Sequence, residues 1–242
     1  MKISRMVFAA ALALLSLASI VHAADAPAPT APPKPRGVHY IYLIRHGVYD
    51  RDTVITDDRI GSPLNALGHE QAKLIGERLA HLPVKLRALV SSDRTRARQT
   101  ADDMGLVLGM PVARDSLIAE CTPASDRPDY MKGSSPAEIT LCESNLQAAW
   151  TKYFTPTPDA DTHDVLVCHG NVIRWMVAKT LGMDLKTWTH FDIGNGSLTV
   201  ISVRADGSAR LAMYGDVGHI PVEKQTWAGS GGGWKVPAAG MK

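Results

Sequence analysis

The sequence predicts an α/β fold: a three-layer α/β/α sandwich around a mostly parallel central sheet. Strand-like and helix-like segments alternate along the body of the chain, the pattern of a sheet with helices on both faces. The strand-like runs are apolar and β-branched, as buried strands are. A chain of 242 residues, 45% hydrophobic and 21% charged, also has the composition of an ordinary soluble globular protein and the length for one large domain.

Residues 38–44 read as the first buried strand. A helix follows over residues 67–82, with Leu67, Leu74, Ile75, Leu79 and Leu82 on one face and Pro83 as its stop. Residues 86–90 form a second strand, and residues 95–108 a helix ending near Gly109. Ser135, Pro136 and Glu138 spell a capping box with proline at the first helical position. The helix they open carries Ile139, Cys142, Leu146, Ala149, Trp150 and Tyr153 on one side. Residues 164–168 are a third core strand, and residues 172–181 another helix. Residues 197–203 and 209–214 close the body as a hairpin across Ala205-Asp206-Gly207-Ser208.

The ends differ from this body, which spans residues 37–227. Lys2 and Arg5 precede an apolar run over residues 6–20, and Val21-His22-Ala23 has the form of a cleavage site. The run is shorter than the roughly 20 residues that a bilayer core requires. A cleaved signal peptide over residues 1–23 is therefore favoured over a retained anchor, and with it an exported, periplasmic or secreted protein without stable membrane association. Residues 24–36 form a Pro/Ala-rich linker, and residues 228–242 a flexible Gly-rich tail. Without Lys2 and Arg5, the 26 basic residues fall to equal the 24 acidic ones, so no general charge draws the chain to nucleic acid. Of the three cysteines, Cys168 lies in an apolar strand. Cys121 and Cys142 flank one irregular segment and are the expected pair if a disulfide forms.

Three strands run into reactive residues. The first leads to Arg45-His46-Gly47, the second to Ser91-Ser92 and a helix start bearing Arg94, Arg96 and Arg98, and the third to His169-Gly170-Asn171. A single histidine or arginine at a strand end is usually a hydrogen-bonded loop residue. Three such ends on one sheet share a rim, where open α/β folds bind ligands. Arginine forks match phosphate geometry and keep their charge, while a neutral histidine with one free ring nitrogen is a nucleophile. The cysteine and histidine spacings match no zinc site.

Four ordered motifs carry a resemblance. They are Leu43-Ile44-Arg45-His46-Gly47, the stretch from Pro63 to Ala72 with Gly68 and Gln71, the stretch from Ser91 to Ala101 with Arg96, Ala97 and Thr100, and His169-Gly170. Together they resemble the histidine phosphatase superfamily, whose fold is phosphoglycerate mutase-like. Glu120-Cys121-Thr122-Pro123, the stretch from Cys168 to Arg174 and Gly194-Asn195-Gly196-Ser197 bring the likeness nearest to the mitochondrial mutase-like protein phosphatases. Asn65 stands where the family usually has threonine, and Val48-Tyr49-Asp50 replaces the polar residues of the mutases.

The resemblance implies His46 as nucleophile, with Arg45, Arg96 and His169 binding the phosphoryl oxygens and Glu120 as proton donor. Arg96 is chosen over Arg94 and Arg98 because it precedes the alanine of the family motif; the other two are expected to be helix-surface charges. His69, His81, His163, His190 and His219 belong to no motif and are expected at the surface. The expected function is a metal-independent phosphatase without cofactor, acting on a phosphorylated small molecule or phosphoprotein through a phosphohistidine. A mutase-like phosphotransferase and a non-catalytic phosphate-binding module are the alternatives.

Overall fold

β1 (His39–Arg45), β2 (Ala88–Ser91), β3 (Ala113–Arg114), β4 (Thr162–Cys168), β5 (Leu198–Val203) and β6 (Ala209–Asp216) form one sheet in the order β3-β2-β4-β1-β5-β6. The structure, a computed structural model, describes residues 37–50 and 61–227. The expected leader, linker and tail lie outside the described residues, as does most of the loop after Asp50. No described helix is long and apolar enough to cross a membrane.

The sheet is mixed. β1 runs parallel to β4, β4 to β2 and β2 to β3, whereas β5 is antiparallel to both β1 and β6. The turn before β5 explains the switch. Gly196 donates its N–H to the carbonyls of Arg45 and His46, so β5 starts at the rim where β1 ends and must run back. Gly196 holds φ +65°, a conformation glycine adopts without steric cost.

Helices α1 (Ala66–Ala80) and α2 (Thr95–Leu108) cover one face of the sheet, and α3 (Pro136–Tyr153) and α4 (Gly170–Thr180) the other. Side chains alternate between faces along each strand. Tyr42, Ile44, Val165 and Val167 meet α1 and α2, while Ile41, Leu43, Leu166 and Cys168 meet α3 and α4. Both faces are covered, which is why these strands read as unbroken apolar runs.

Each expected helix and strand forms, with ends shifted by a few residues. The capping box of α3 is complete, and Gly109 ends α2 at φ +63°. Asn65 caps α1 by accepting the Gly68 N–H at 3.0 Å, so replacement of threonine there keeps the cap. α1 ends before Pro83, at a turn where the His81 N–H bonds the Glu77 carbonyl. Its buried face is also narrower than its leucines suggest. Gly68, Ala72 and Gly76 are buried, and a Cβ at Gly76 would lie 3.2 Å from Val107, so small residues let α1 and α2 approach closely. β3 was not expected, because two exposed residues give no periodicity.

Cys121 and Cys142 form a disulfide across 21 positions, while Cys168 is a free, buried thiol. Closing a loop of that length contributes about 3 kcal/mol in the chain-entropy account.

Candidate active site

The register of the parallel strands assembles the site. Arg45 pairs with Cys168 across β1 and β4, and Ser91 pairs with Val167 across β2 and β4. The next residue on each strand, His46, Ser92 and His169, therefore emerges at one rim. His46 N–H bonds the Cys168 carbonyl at 3.0 Å, and Ser92 N–H bonds the Val167 carbonyl at 2.9 Å. Three side chains from three distant segments are brought to one place by backbone pairing alone.

Motif residues outside the site hold the turn after His46. Thr100 Oγ1 accepts the Gly47 N–H at 3.0 Å, and Gln71 Oε1 accepts the Val48 N–H at 2.9 Å. Gly47 is required here by packing. A Cβ at Gly47 would lie 2.4 Å from the Gly68 carbonyl oxygen, and one at Gly68 would lie 2.0 Å from the Val48 oxygen.

The hydrogen bonds around His46 define its protonation. Its Nδ1 lies 2.8 Å from the Gly47 carbonyl, which can only accept, so Nδ1 carries the proton. Arg96 Nε donates to His46 Nε2 at 3.1 Å, so Nε2 presents a lone pair. Only the neutral Nδ1–H imidazole satisfies both. Burial first, then the charges of Arg96 and Arg45, hold the His46 pKa well below the ordinary 6.5.

His169 sits beside it, with ring centroids 5.2 Å apart. Its Nε2 lies 2.8 Å from Ser92 Oγ, which itself accepts the Arg94 N–H at 3.2 Å. The Ser92 hydroxyl can donate or accept, so this contact suits a His169 proton on either Nε2 or Nδ1. That Nδ1 is buried and has no hydrogen-bond partner among the described residues. It lies 3.9 Å from Glu120 Oε2. Burial and then the charges of Arg96, His46, Arg94 and Arg45 push the His169 pKa well below 6.5.

Glu120 follows a short 3-10 turn (Ser116–Ile118) and faces the same space, 3.9 Å from Arg96. Its side chain is 28% exposed overall, but Oε1 is sealed from solvent and has no hydrogen-bond partner among the described residues. Burial raises its pKa above 4.5 against the opposing charges of Arg96, Arg45 and Arg174. Arg45 ends β1, is buried, and donates Nη1 to the Ile193 carbonyl at 2.5 Å. Burial lowers its pKa to about 10, so it keeps its charge at neutral pH.

The five expected residues thus share one rim, and four of them meet within a few ångströms. His46, Glu120 and His169 present ligand atoms within 4.8 Å of one another, as a metal site would. Two guanidiniums beside them disfavour a cation, and Arg96 occupies the His46 lone pair that a metal would need. Fixed positive charge, a buried imidazole nitrogen without a partner among the described residues and a neutral nucleophile suit an oxyanion instead.

Some expectations need correction. Arg94 is half-buried rather than a surface charge, and its field reaches His169; Arg98 is exposed as expected. His163 is buried and bonds the Tyr42 hydroxyl at 3.0 Å, and the partly buried His219 bonds the Gly196 carbonyl at 3.0 Å. Both pack against sheet or turn residues, which no motif marks. Ser92 and Tyr49 went unassigned. Tyr49 packs edge-on to His46 with ring centroids 5.5 Å apart, and the Arg96 guanidinium lies 5.0 Å over its ring. The sequence signal was present in both cases, as a repeated serine and an aromatic in place of a polar residue.

A family model described as histidine phosphatase superfamily (branch 1) matches residues 41–127 and 142–216. A curated protein of Xenopus tropicalis, named serine/threonine-protein phosphatase PGAM5, mitochondrial, is 32% identical over 195 residues, spanning 79% of this chain and 69% of that protein. The human protein of the same name is 32% identical over 199 residues, 80% of this chain and 68% of its own length. Among solved structures, the alpha-ribazole phosphatase of Shigella flexneri has a TM-score of 0.57 at 19% identity, over 73% of this chain and 96% of that chain, a likeness of fold. The curated relatives are named as mitochondrial, which overturns the expectation of an exported, periplasmic or secreted protein. A basic start followed by an apolar run does not by itself specify a compartment. The match over both halves of the body, and the relatives at 32% identity, show that this chain belongs to the histidine phosphatase superfamily and support reading it as a phosphatase.

Proposed function

We propose that the body over residues 37–227 is a metal-independent phosphohydrolase that forms a phosphohistidine on His46. One observation carries the reading: the lone pair of a neutral, buried histidine points at the Arg96 guanidinium, beside a His169 Nδ1 that has no hydrogen-bond partner among the described residues. Phosphoryl oxygens would take Arg96, Arg45 and the His169 Nδ1–H, releasing the His46 lone pair for in-line attack on phosphorus. The ester P–O bond breaks as the P–N bond forms, and the departing alkoxide takes the proton of Glu120. The Glu120 carboxylate next takes a proton from water, whose oxygen displaces His46 and leaves inorganic phosphate. The names of the relatives favour phosphorylated serine and threonine side chains as substrates. The near-even balance of acidic and basic residues favours no nucleic-acid partner.

Rapid quenching with a radiolabelled phosphomonoester tests the reading. The label is expected on the peptide containing His46, stable in base and labile in acid, with free phosphate released in the absence of any acceptor. Label without release would favour a phosphotransferase, and no label a binding module.

The pH dependence follows from the same groups. Turnover of an alkyl phosphate needs His46 neutral, met above its lowered pKa, and Glu120 protonated, met below its raised pKa. The kcat/KM profile is expected to fall as pH rises through the Glu120 pKa, above 4.5, after correction for the substrate's own ionisation near ~6. Glu120→Gln is expected to remove that falling limb. A limb unchanged in Glu120→Gln would take the acid role from this residue.

A further inference from the structure

The acid Glu120 lies on a stretch without helix or strand, between the 3-10 turn and Ala124. What fixes it is its neighbour. The Cys121 carbonyl accepts Asn171 Nδ2–H at 2.9 Å, and Asn171 is held in turn by Arg174 Nη2 at 2.7 Å. Arg174 is itself buried, donates Nη1 to the Phe191 carbonyl at 3.1 Å and stacks 4.7 Å from the Trp188 ring. On its other side Cys121 is covalently joined to Cys142, a buried residue on the inner face of α3. One backbone position is thus tied to α4 by a hydrogen bond and to α3 by a disulfide. The carboxylate next to it must keep its place 3.9 Å from both Arg96 and His169.

We propose that the Cys121–Cys142 disulfide is a positioning element for Glu120, so that its reduction by a dithiol slows the proton-dependent step. This rests on the role of Glu120 in the phosphatase reading above. Cys121 is partly exposed and offers a sulfur for attack, whereas Cys142 is buried. A dithiol thiolate attacks Cys121 Sγ, and the S–S bond breaks with Cys142 leaving as thiolate, which takes up a proton. The second thiol then closes the reagent's own disulfide and frees Cys121. Two electrons pass from the dithiol to the protein, which gains two thiols. With that tie gone, Cys121 itself is held by the Asn171 hydrogen bond, the other bonds of the loop lying three residues on at Ala124, and the acid samples positions from which it cannot reach the leaving oxygen.

The discriminating measurement compares leaving groups. An alkyl phosphate needs the proton of Glu120, whereas a nitrophenyl phosphate expels an anion that is stable without it. In the full chain, dithiol treatment and the Cys142→Ala variant are each expected to lower kcat/KM on the alkyl ester about tenfold, part of the ~10²–10⁴ that a general acid supplies. For the nitrophenyl ester, kcat/KM, which ends at phosphohistidine formation and so omits the water step, should change less than about twofold. Reoxidation restores the wild type and not the variant. In Glu120→Gln, reduction is expected to cause no further loss, because the group it positions is already gone. Equal losses on both esters, no loss on either, or an additive loss in Glu120→Gln would each overturn the proposal. Circular dichroism shows whether Cys142→Ala folds; if it does not, the reduced wild type alone decides. An oxidised wild type inactive on both esters would instead refute the phosphatase reading.

Discussion

His46→Ala is expected to lower kcat on any phosphomonoester by at least about 10⁴-fold, the scale on which losing a nucleophile acts when the rest of a site remains. The expectation follows from what no other group in the site offers. His169 is neutral too, but its Nε2 is tied to Ser92 and its Nδ1 faces Glu120 at 3.9 Å. Glu120 sits where it can pass a proton, and the arginines have no lone pair to give. The variant should still bind phosphate, because Arg45, Arg96 and His169 remain, so product inhibition by inorganic phosphate is expected to persist. Steady-state assays with the nitrophenyl ester check both statements. More than a tenth of wild-type activity in His46→Ala would end the phosphohistidine mechanism.

The second large effect is expected at Arg96. Removing one charged donor aimed at a developing oxyanion typically costs on the order of 10²–10³ in kcat, about 2.7–4 kcal/mol. Arg96→Ala should fall in that range. Arg96→Lys should recover only part of it, since one ammonium cannot present two donors to phosphoryl oxygens in the geometry of a planar fork. A second signature separates this role from simple loss of structure. The Arg96 charge is, after burial, the largest influence holding the His46 pKa down. Without it that pKa rises, the neutral fraction at acidic pH falls, and the rising limb of the pH–rate profile should move to higher pH. A loss of rate with no movement of that limb would separate Arg96 from His46 electrostatically.

Most of the site could be read in the sequence, because parallel strands deliver their ends to one rim. A motif at each strand end is therefore already a statement about proximity. The family motifs also proved to bond to one another: the Gln71 and Thr100 side chains hold the backbone of Gly47 and Val48. Their distance in sequence hid this, since neither residue carries a periodic or chemical signal of its own. The antiparallel turn of β5 was equally hidden as a direction, although its hairpin with β6 was not. The Gly196 contacts that reverse the chain are made to β1, some 150 residues earlier.

By itself the sequence determined the alternation of strands and helices, the capped start of α3 and the residue types gathered at the rim, and it named Cys121 and Cys142 as the partners if a bridge forms. These follow from local periodicity, turn chemistry and the order of motifs along the chain. Only the tertiary structure decided which ring nitrogen of His46 is free, that a disulfide joins Cys121 to Cys142, and in which direction burial moves the ionisation of Glu120. Those properties come from desolvation and from contacts and fields of residues that meet only when the sheet is assembled, and none of these exists in the extended chain.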